Sequence, residues 1–139
     1  MVDVRLMAWS EAREAVSPVR FAVFVGEQGV PAEIELDEHD AASVHAVARD
    51  AAGTVVGTGR LLPDGHVGRM AVLAAWRSRG VGGRILQALL DEARRRGLAE
   101  AVLSAQVKAT DFYLRHGFTA EGEVYEEAGI LHRRMRRRL

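Results

Sequence analysis

The sequence predicts one mixed α/β domain, and three observations carry that expectation. Strand-like segments recur along the chain: VDVRLMAW, SVHAVARD, GTVVGTGRLL, HVGRMAVL and EAVLSAQV. Stretches with apolar residues at helical spacing, EAREAVSPVRFAVFVGEQ and VGGRILQALLDEARRR, lie among them. A length of 139 residues, with 48% hydrophobic and 27% charged content, suits a single soluble core, and neither a linker nor a repeat divides it.

VDVRLMAW alternates and reads as a first strand. Ala12, Ala15, Val16, Val19, Val23 and Phe24 then recur at helical spacing, giving a helix or helix pair broken near Pro18. GVPAEIELDEHDAAS, with Gly29, Pro31 and a dense acidic run, reads as a loop. SVHAVARD and GTVVGTGRLL form a hairpin around Ala51-Ala52-Gly53. Pro63-Asp64-Gly65 turns the chain into HVGRMAVL, whose Gly68 marks a bulge or a close backbone approach. The next helix runs through about Arg96. It carries Val81, Ile85, Leu86, Leu89, Leu90 and Ala93 on one face and Gly97 as its stop. EAVLSAQV is a short buried strand. ATDFYLRHGF is a short helix ending at Gly117, and FTAEGEVYEEAG and ILHRRMRRRL form a last strand pair.

Composition excludes several function classes. The formal net charge is +0, so no global field draws the molecule to nucleic acid or to a membrane. Cysteine is absent, which removes disulfides, a cysteine nucleophile and a thiolate metal site, and fits a reducing cytoplasmic setting. MVDVRLMAWSEAREAV, with Asp3 and Arg5 early, does not read as a signal peptide. No run of about 18 apolar residues predicts a membrane span. His39, His45, His66, His116 and His132 lack ligand spacing, so no metal is expected.

The stretch RSRGVGGR, Arg77 to Arg84, concentrates glycine and arginine directly before a helix. A helix start offers unpaired N–H groups and the positive end of the dipole. Glycines let those groups converge on an anion, and arginines suit phosphate oxygens. The stretch therefore reads as a pyrophosphate cradle, against the simpler alternative of a glycine turn with solvated arginines. It is neither a Walker A loop, because no GxxxxGK[ST] occurs, nor a Rossmann fingerprint, because it is too compact and lies mid-chain.

Arg77-x-x-Gly80-x-Gly82 resembles the Q/R-x-x-G-x-G/A motif of the GNAT superfamily of acyl-CoA-dependent N-acetyltransferases. Ala109-Thr-Asp-Phe-Tyr-Leu-Arg-His-Gly-Phe118 resembles the family's later A-x-x-F-Y-x-x-x-G-F segment. VFVGEQGVPAEIELDEHD, the AQ of EAVLSAQ and GILHRRM are similar to the ElaA-like branch. The resemblance covers nearly the whole chain. It implies a GNAT-type fold of six or seven strands with about four helices, residues 1–139 forming one N-acetyltransferase domain.

The resemblance further implies acetyl-CoA as co-substrate. Backbone around Arg77, Ser78, Arg79, Gly80, Val81, Gly82, Gly83 and Arg84 would hold the pyrophosphate of coenzyme A. Met70, Ala71 and Val72 would hydrogen-bond the pantetheine arm in a gap between RMAVL and AVLSAQ. The implied reaction is direct attack of a primary amine, on a small molecule or peptide, upon the acetyl group in a ternary complex. An alkylamine titrates near about 10, so a base must make it neutral. A strand N–H near Val72 is the candidate oxyanion donor. Tyr113 occupies the family's tyrosine position as proton donor to the departing thiolate. Glu27 and His39, or their neighbour Asp40, are candidate bases, directly or through a water.

The run Glu33, Glu35, Asp37, Glu38 and Asp40 either attracts a cationic amine or is a solvated loop. Many members of the family are dimers, which leaves a homodimer through the terminal strand pair as an expectation. A non-catalytic acyl-CoA-binding module is the rival reading. HRRMRRRL favours nucleic acid only weakly, because arginine supplies nearly all the basic residues of the chain.

Overall fold

The structure is a computed structural model that describes residues 1–139. Its strands are β1 (Asp3–Ala8), β2 (Val44–Arg49), β3 (Val55–Leu61), β4 (His66–Val72), β5 (Glu100–Gln106), β6 (Thr119–Glu127) and β7 (Ile130–Arg138). Its helices are α1 (Trp9–Arg20), α2 (Ala32–Glu35), α3 (Val81–Arg95) and α4 (Thr110–Arg115). The strands form one seven-stranded sheet in the order β1-β2-β3-β4-β5-β7-β6. Each neighbouring pair is antiparallel except β4 and β5, which are parallel.

Side-chain alternation divides the apolar residues between two helical layers. In β2, Ala46 and Ala48 join the large core under α3, whereas Val47 packs with Ala12 and Val16 of α1 on the opposite face. The predicted face of α3 is the buried one, from Val81 to Ala93, each residue at most 2% exposed. Burying a side chain such as Leu or Ile stabilises by about 2 kcal/mol, so this face anchors the helix. Glycines in β3 allow α3 to come close. A Cβ at Gly57 would meet Ile85 Cδ1 at 2.8 Å, and one at Gly59 would meet Ile85 Cγ2 at 3.0 Å and Leu89 Cδ1 at 3.1 Å.

Two features separate β4 from β5. Their parallel register is confined to His66 with Val102 and Val67 with Leu103, and beyond these pairs the strands diverge. Opposite β3, Thr58 faces Ala71 while Arg60 faces Gly68, so Arg69 and Met70 together oppose Gly59. This bulge places Arg69 at φ 47, a left-handed conformation that bends the strand. The expected bulge at Gly68 thus lies one residue further on.

The N-terminal helix and the acidic loop differ from expectation. α1 begins at Trp9 and passes through Pro18 to Arg20. Pro18 withholds one N–H, yet Val16 and Val19 are buried on either side of it and hold the helical path. The change comes later, where Phe21–Glu27 widens into π-helical turns. Inside the predicted loop, Ala32–Glu35 forms one turn of helix. No helix is long and apolar enough to cross a membrane.

Candidate active site

Two clefts meet at the open edge of β4. The first, of about 810 Å³, lies between β4, the start of α3 and α4. The second, of about 800 Å³, lies between β4, the π-helical turns, the acidic segment and the β5–β7 face. Met70, Ala71, Val72, Arg77, Ala109 and Tyr113 line both.

The open edge follows from the ladder geometry. Leu73 N–H donates to the Val56 carbonyl at 2.9 Å. Alternate residues of an antiparallel strand point their polar groups to opposite sides, so the N–H and C=O of Val72 point away from β3 into the gap. The Val72 carbonyl accepts a 3.0 Å hydrogen bond from Arg77 Nε, and its N–H remains open.

Ten of the residues expected at the cofactor line the first cleft: Met70, Ala71, Val72, Arg77, Ser78, Gly80, Val81, Gly82, Gly83 and Arg84. Ser78 at φ 62 and Gly80 at φ 80 both adopt the left-handed conformation. The alternation turns successive amides inward ahead of α3. Arg84 N–H donates to the Gly80 carbonyl at 3.1 Å, and the N–H groups of Val81, Gly82 and Gly83 have no protein acceptor. Gly82 keeps the first cleft clear, since a Cβ there would stand 3.4 Å from Phe112 Cζ.

The arginines of the motif are more engaged than expected. Arg77 Nη2 donates to Glu27 at 2.7 Å. Arg84 Nη1 donates to the Val2 carbonyl. Arg79 lies outside the cleft lining, its guanidinium 5.1 Å from the Trp76 ring centroid. Arg115 lines the cleft, a cation the sequence analysis passed over because it lies beyond the glycine motif.

Tyr113 is 8% exposed at the junction of the clefts. Its ring meets Phe112 edge-on at 5.0 Å and Phe118 edge-on at 5.8 Å. Burial pushes the phenol up to about 12, so it remains protonated at neutral pH. Phe118 N–H donates to the Tyr113 carbonyl at 3.1 Å and closes α4 behind it.

Of the candidate bases, Glu27 and His39 line the second cleft and Asp40 does not. Glu27 is half-exposed and ion-paired to Arg77. His39 lines the cleft but is exposed. Its backbone N–H donates to Asp37 Oδ1 at 3.0 Å. Asp40 is 1% exposed and committed to arginines.

The acidic segment is mostly neither a solvated loop nor a free anionic lure. Arg20, fully buried, donates to Glu35 Oε1 at 2.6 Å and to Asp40 Oδ1 at 2.7 Å. Arg60 donates to Asp40 Oδ1 at 2.9 Å and to Asp37 Oδ1 at 2.7 Å. Arg69, on the bulge, donates to Asp37 Oδ2 at 3.1 Å. Burial pushes Asp37 and Asp40 up, but hydrogen bonds and charge from these arginines outweigh it and hold both carboxyls below the usual range. Glu35, Asp37 and Asp40 therefore pin the segment to the bulge, while Glu33 and Glu38 stay exposed.

Several of the terminal arginines are likewise engaged. Arg136 pairs with Glu100 and with Glu121. Arg133 and Arg137 donate to the carbonyls of Gly122 and His116.

Comparison with known proteins agrees with this geometry. Residues 11–139 match the acetyltransferase (GNAT) domain family, and the chain belongs to it. It is 43% identical over 121 residues to the uncharacterized N-acetyltransferase YjcF of Bacillus subtilis, covering 84% of this chain and 86% of that one. An acyl-CoA N-acyltransferase from Pseudomonas aeruginosa superposes with a TM-score of 0.87 at 31% identity, over 99% of each chain. ElaA of Escherichia coli superposes equally well, TM-score 0.87 at 27% identity, over 99% of each chain.

Proposed function

We propose that the protein transfers an acetyl group from acetyl-CoA to a primary amine by direct attack in a ternary complex. The observation that carries this is the pairing of an open strand edge at Val72 with the unpartnered amides at the start of α3. Three amides beside a positive dipole end suit a pyrophosphate, with Arg115 adding charge. The Met70–Val72 edge suits the amide-bearing pantetheine arm, which pairs with it as a strand would. Acetyl-CoA fits these groups and supplies the activated thioester.

The residues then divide the work. The amine reaches the thioester from the second cleft, while the nucleotide end occupies the first. The open Val72 N–H donates to the oxyanion as the carbonyl becomes tetrahedral. Tyr113, protonated and facing both clefts, donates to the sulfur as the carbon–sulfur bond breaks. A cationic acceptor remains in keeping with Glu127, exposed on the second cleft. A homodimer through the β6–β7 pair remains part of the reading.

The test is acceptor-dependent thiol release. Purified protein with acetyl-CoA should release free thiol when primary amines are added, and only slowly without them. Acetyl-CoA binding without release for any amine would favour a non-catalytic binding module.

A further inference from the structure

The transferase reading lacks an oriented, uncommitted proton acceptor, because Glu27 is held by Arg77 and His39 is exposed. His132 meets both requirements. It lies near the start of β7, is 8% exposed, and lines the second cleft together with Val72 and Tyr113. Its Nδ1 lies 2.7 Å from the Ile130 carbonyl oxygen. A carbonyl only accepts, so Nδ1 carries a hydrogen, and in the neutral ring Nε2 carries the lone pair. The ring stacks on Tyr125 with centroids 6.0 Å apart and planes at 22°. Its cross-strand neighbour Gln106 is fixed by a 2.7 Å hydrogen bond to Gln28.

Nε2 stands 3.8 Å from the Glu127 carboxylate. A lone pair and a carboxylate thus face each other with no protein donor between them. An ammonium group satisfies both, giving a proton to Nε2 and its charge to Glu127. We propose that His132 is the general base of the acetyl transfer and that Glu127 holds the acceptor's ammonium group beside it. This rests on the transferase reading above.

The protons balance. His132 Nε2 takes one proton from the ammonium and passes it to water. The neutral nitrogen attacks the acetyl carbon, and the carbon–sulfur bond breaks. Tyr113 gives its proton to the thiolate and recovers the one that the new amide nitrogen sheds. One proton is released per acetyl group transferred. Glu127 and Tyr125 lie against the imidazole, and the cleft it lines also holds Tyr113, His66, Lys108 and Arg69 besides the candidate bases and the arginine-bound carboxylates.

The variant to make is His132→Asn, because its side-chain amide keeps a donor to the Ile130 carbonyl and removes the base. Thiol release from acetyl-CoA would be followed across pH with a panel of alkylamines, arylethylamines, amino-acid amides and a lysine-containing peptide. The wild type should show an acid limb in kcat/KM. His132→Asn should lose about 100-fold or more and lose that limb, with the melting shift by acetyl-CoA intact. Added imidazole should restore part of the rate to His132→Ala. Turnover by His132→Asn within about threefold of wild type, with its acid limb in place, would overturn the proposal. Loss of the acetyl-CoA shift in the variant would mean that His132 serves structure. No shift in the wild type would overturn the transferase reading itself. If no amine in the panel reacts, ¹⁵N NMR of the free protein decides: a bare Nε2 is required, and a protonated Nε2 with a bare Nδ1 overturns the proposal.

Discussion

Arg77 joins Glu27 to the open strand edge, donating from Nη2 to the Glu27 carboxylate at 2.7 Å and from Nε to the Val72 carbonyl at 3.0 Å. The pair sits at the boundary of the two clefts and orients the edge on which the thioester would lie in the proposed reaction. Glu27→Gln should therefore raise the KM for acetyl-CoA several-fold and leave the acid limb of the pH–rate profile where it was. Both side chains are more than a third exposed, so stability should change by less than about 1 kcal/mol. A lost acid limb in this variant would make Glu27 the proton acceptor.

Tyr113→Phe should lower kcat about 100-fold while the melting temperature and acetyl-CoA affinity hold. Tyr113 lines both clefts and no protein group is hydrogen-bonded to its hydroxyl, so removal of the hydroxyl leaves no buried partner unsatisfied. Since the phenol lies near 12, it should contribute no alkaline limb at neutral or mildly basic pH. Full turnover by the variant would remove Tyr113 as the proton donor.

Two glycine substitutions should separate strain from occlusion. Gly80 sits at φ +80 with open space around it, so Gly80→Ala should cost about 1 kcal/mol in strain and leave binding measurable. Gly82→Leu projects toward Phe112 and fills the first cleft, so acetyl-CoA should no longer raise its melting temperature. Calorimetry of the two variants with and without acetyl-CoA checks both outcomes.

The buried network predicts an acid-labile fold. Burial lowers His45, whose Nε2 donates to the Asp40 carbonyl while Nδ1 has no partner. Below about pH 6.5 the unfolded chain protonates this histidine before the folded one does, so stability falls as pH falls. Asp37 and Asp40 act in the same direction at lower pH. Their contribution is complete above about pH 3.9, their unfolded value, and is lost as pH drops through their depressed folded values. Melting temperatures from pH 8 to pH 3 should decline in these two stages, and a rise toward acid would contradict the account. Arg20→Met, which leaves Glu35 buried without its hydrogen-bonding partner and Asp40 with Arg60 alone, should cost about 3–5 kcal/mol.

Much of this was legible in the sequence. The apolar face of α3 was readable because Val81 to Ala93 repeat at helical spacing, and the lining of the first cleft because its glycines and Arg77 and Arg84 are adjacent in the chain. The path of α1 through Pro18 was not, since burial of Val16 and Val19 outweighs a local breaker. The fate of Glu35, Asp37 and Asp40 was not, because their partners Arg20, Arg60 and Arg69 come from three other elements. His132 lay within GILHRRM, a segment singled out for its resemblance, but nothing local gave it a role. Its role depends on a carbonyl two residues earlier and a carboxylate across a hairpin, which only the fold brings to the cleft.

The central claim is tested most directly by the melting temperature with and without saturating acetyl-CoA, using ATP and NAD as controls. At about 100 times its dissociation constant, a ligand adds roughly 2.7 kcal/mol. For a domain of this size the shift should be on the order of 10 °C. A shift with acetyl-CoA alone is the predicted result. No shift, or an equal shift with ATP and NAD, would contradict a cleft built for coenzyme A.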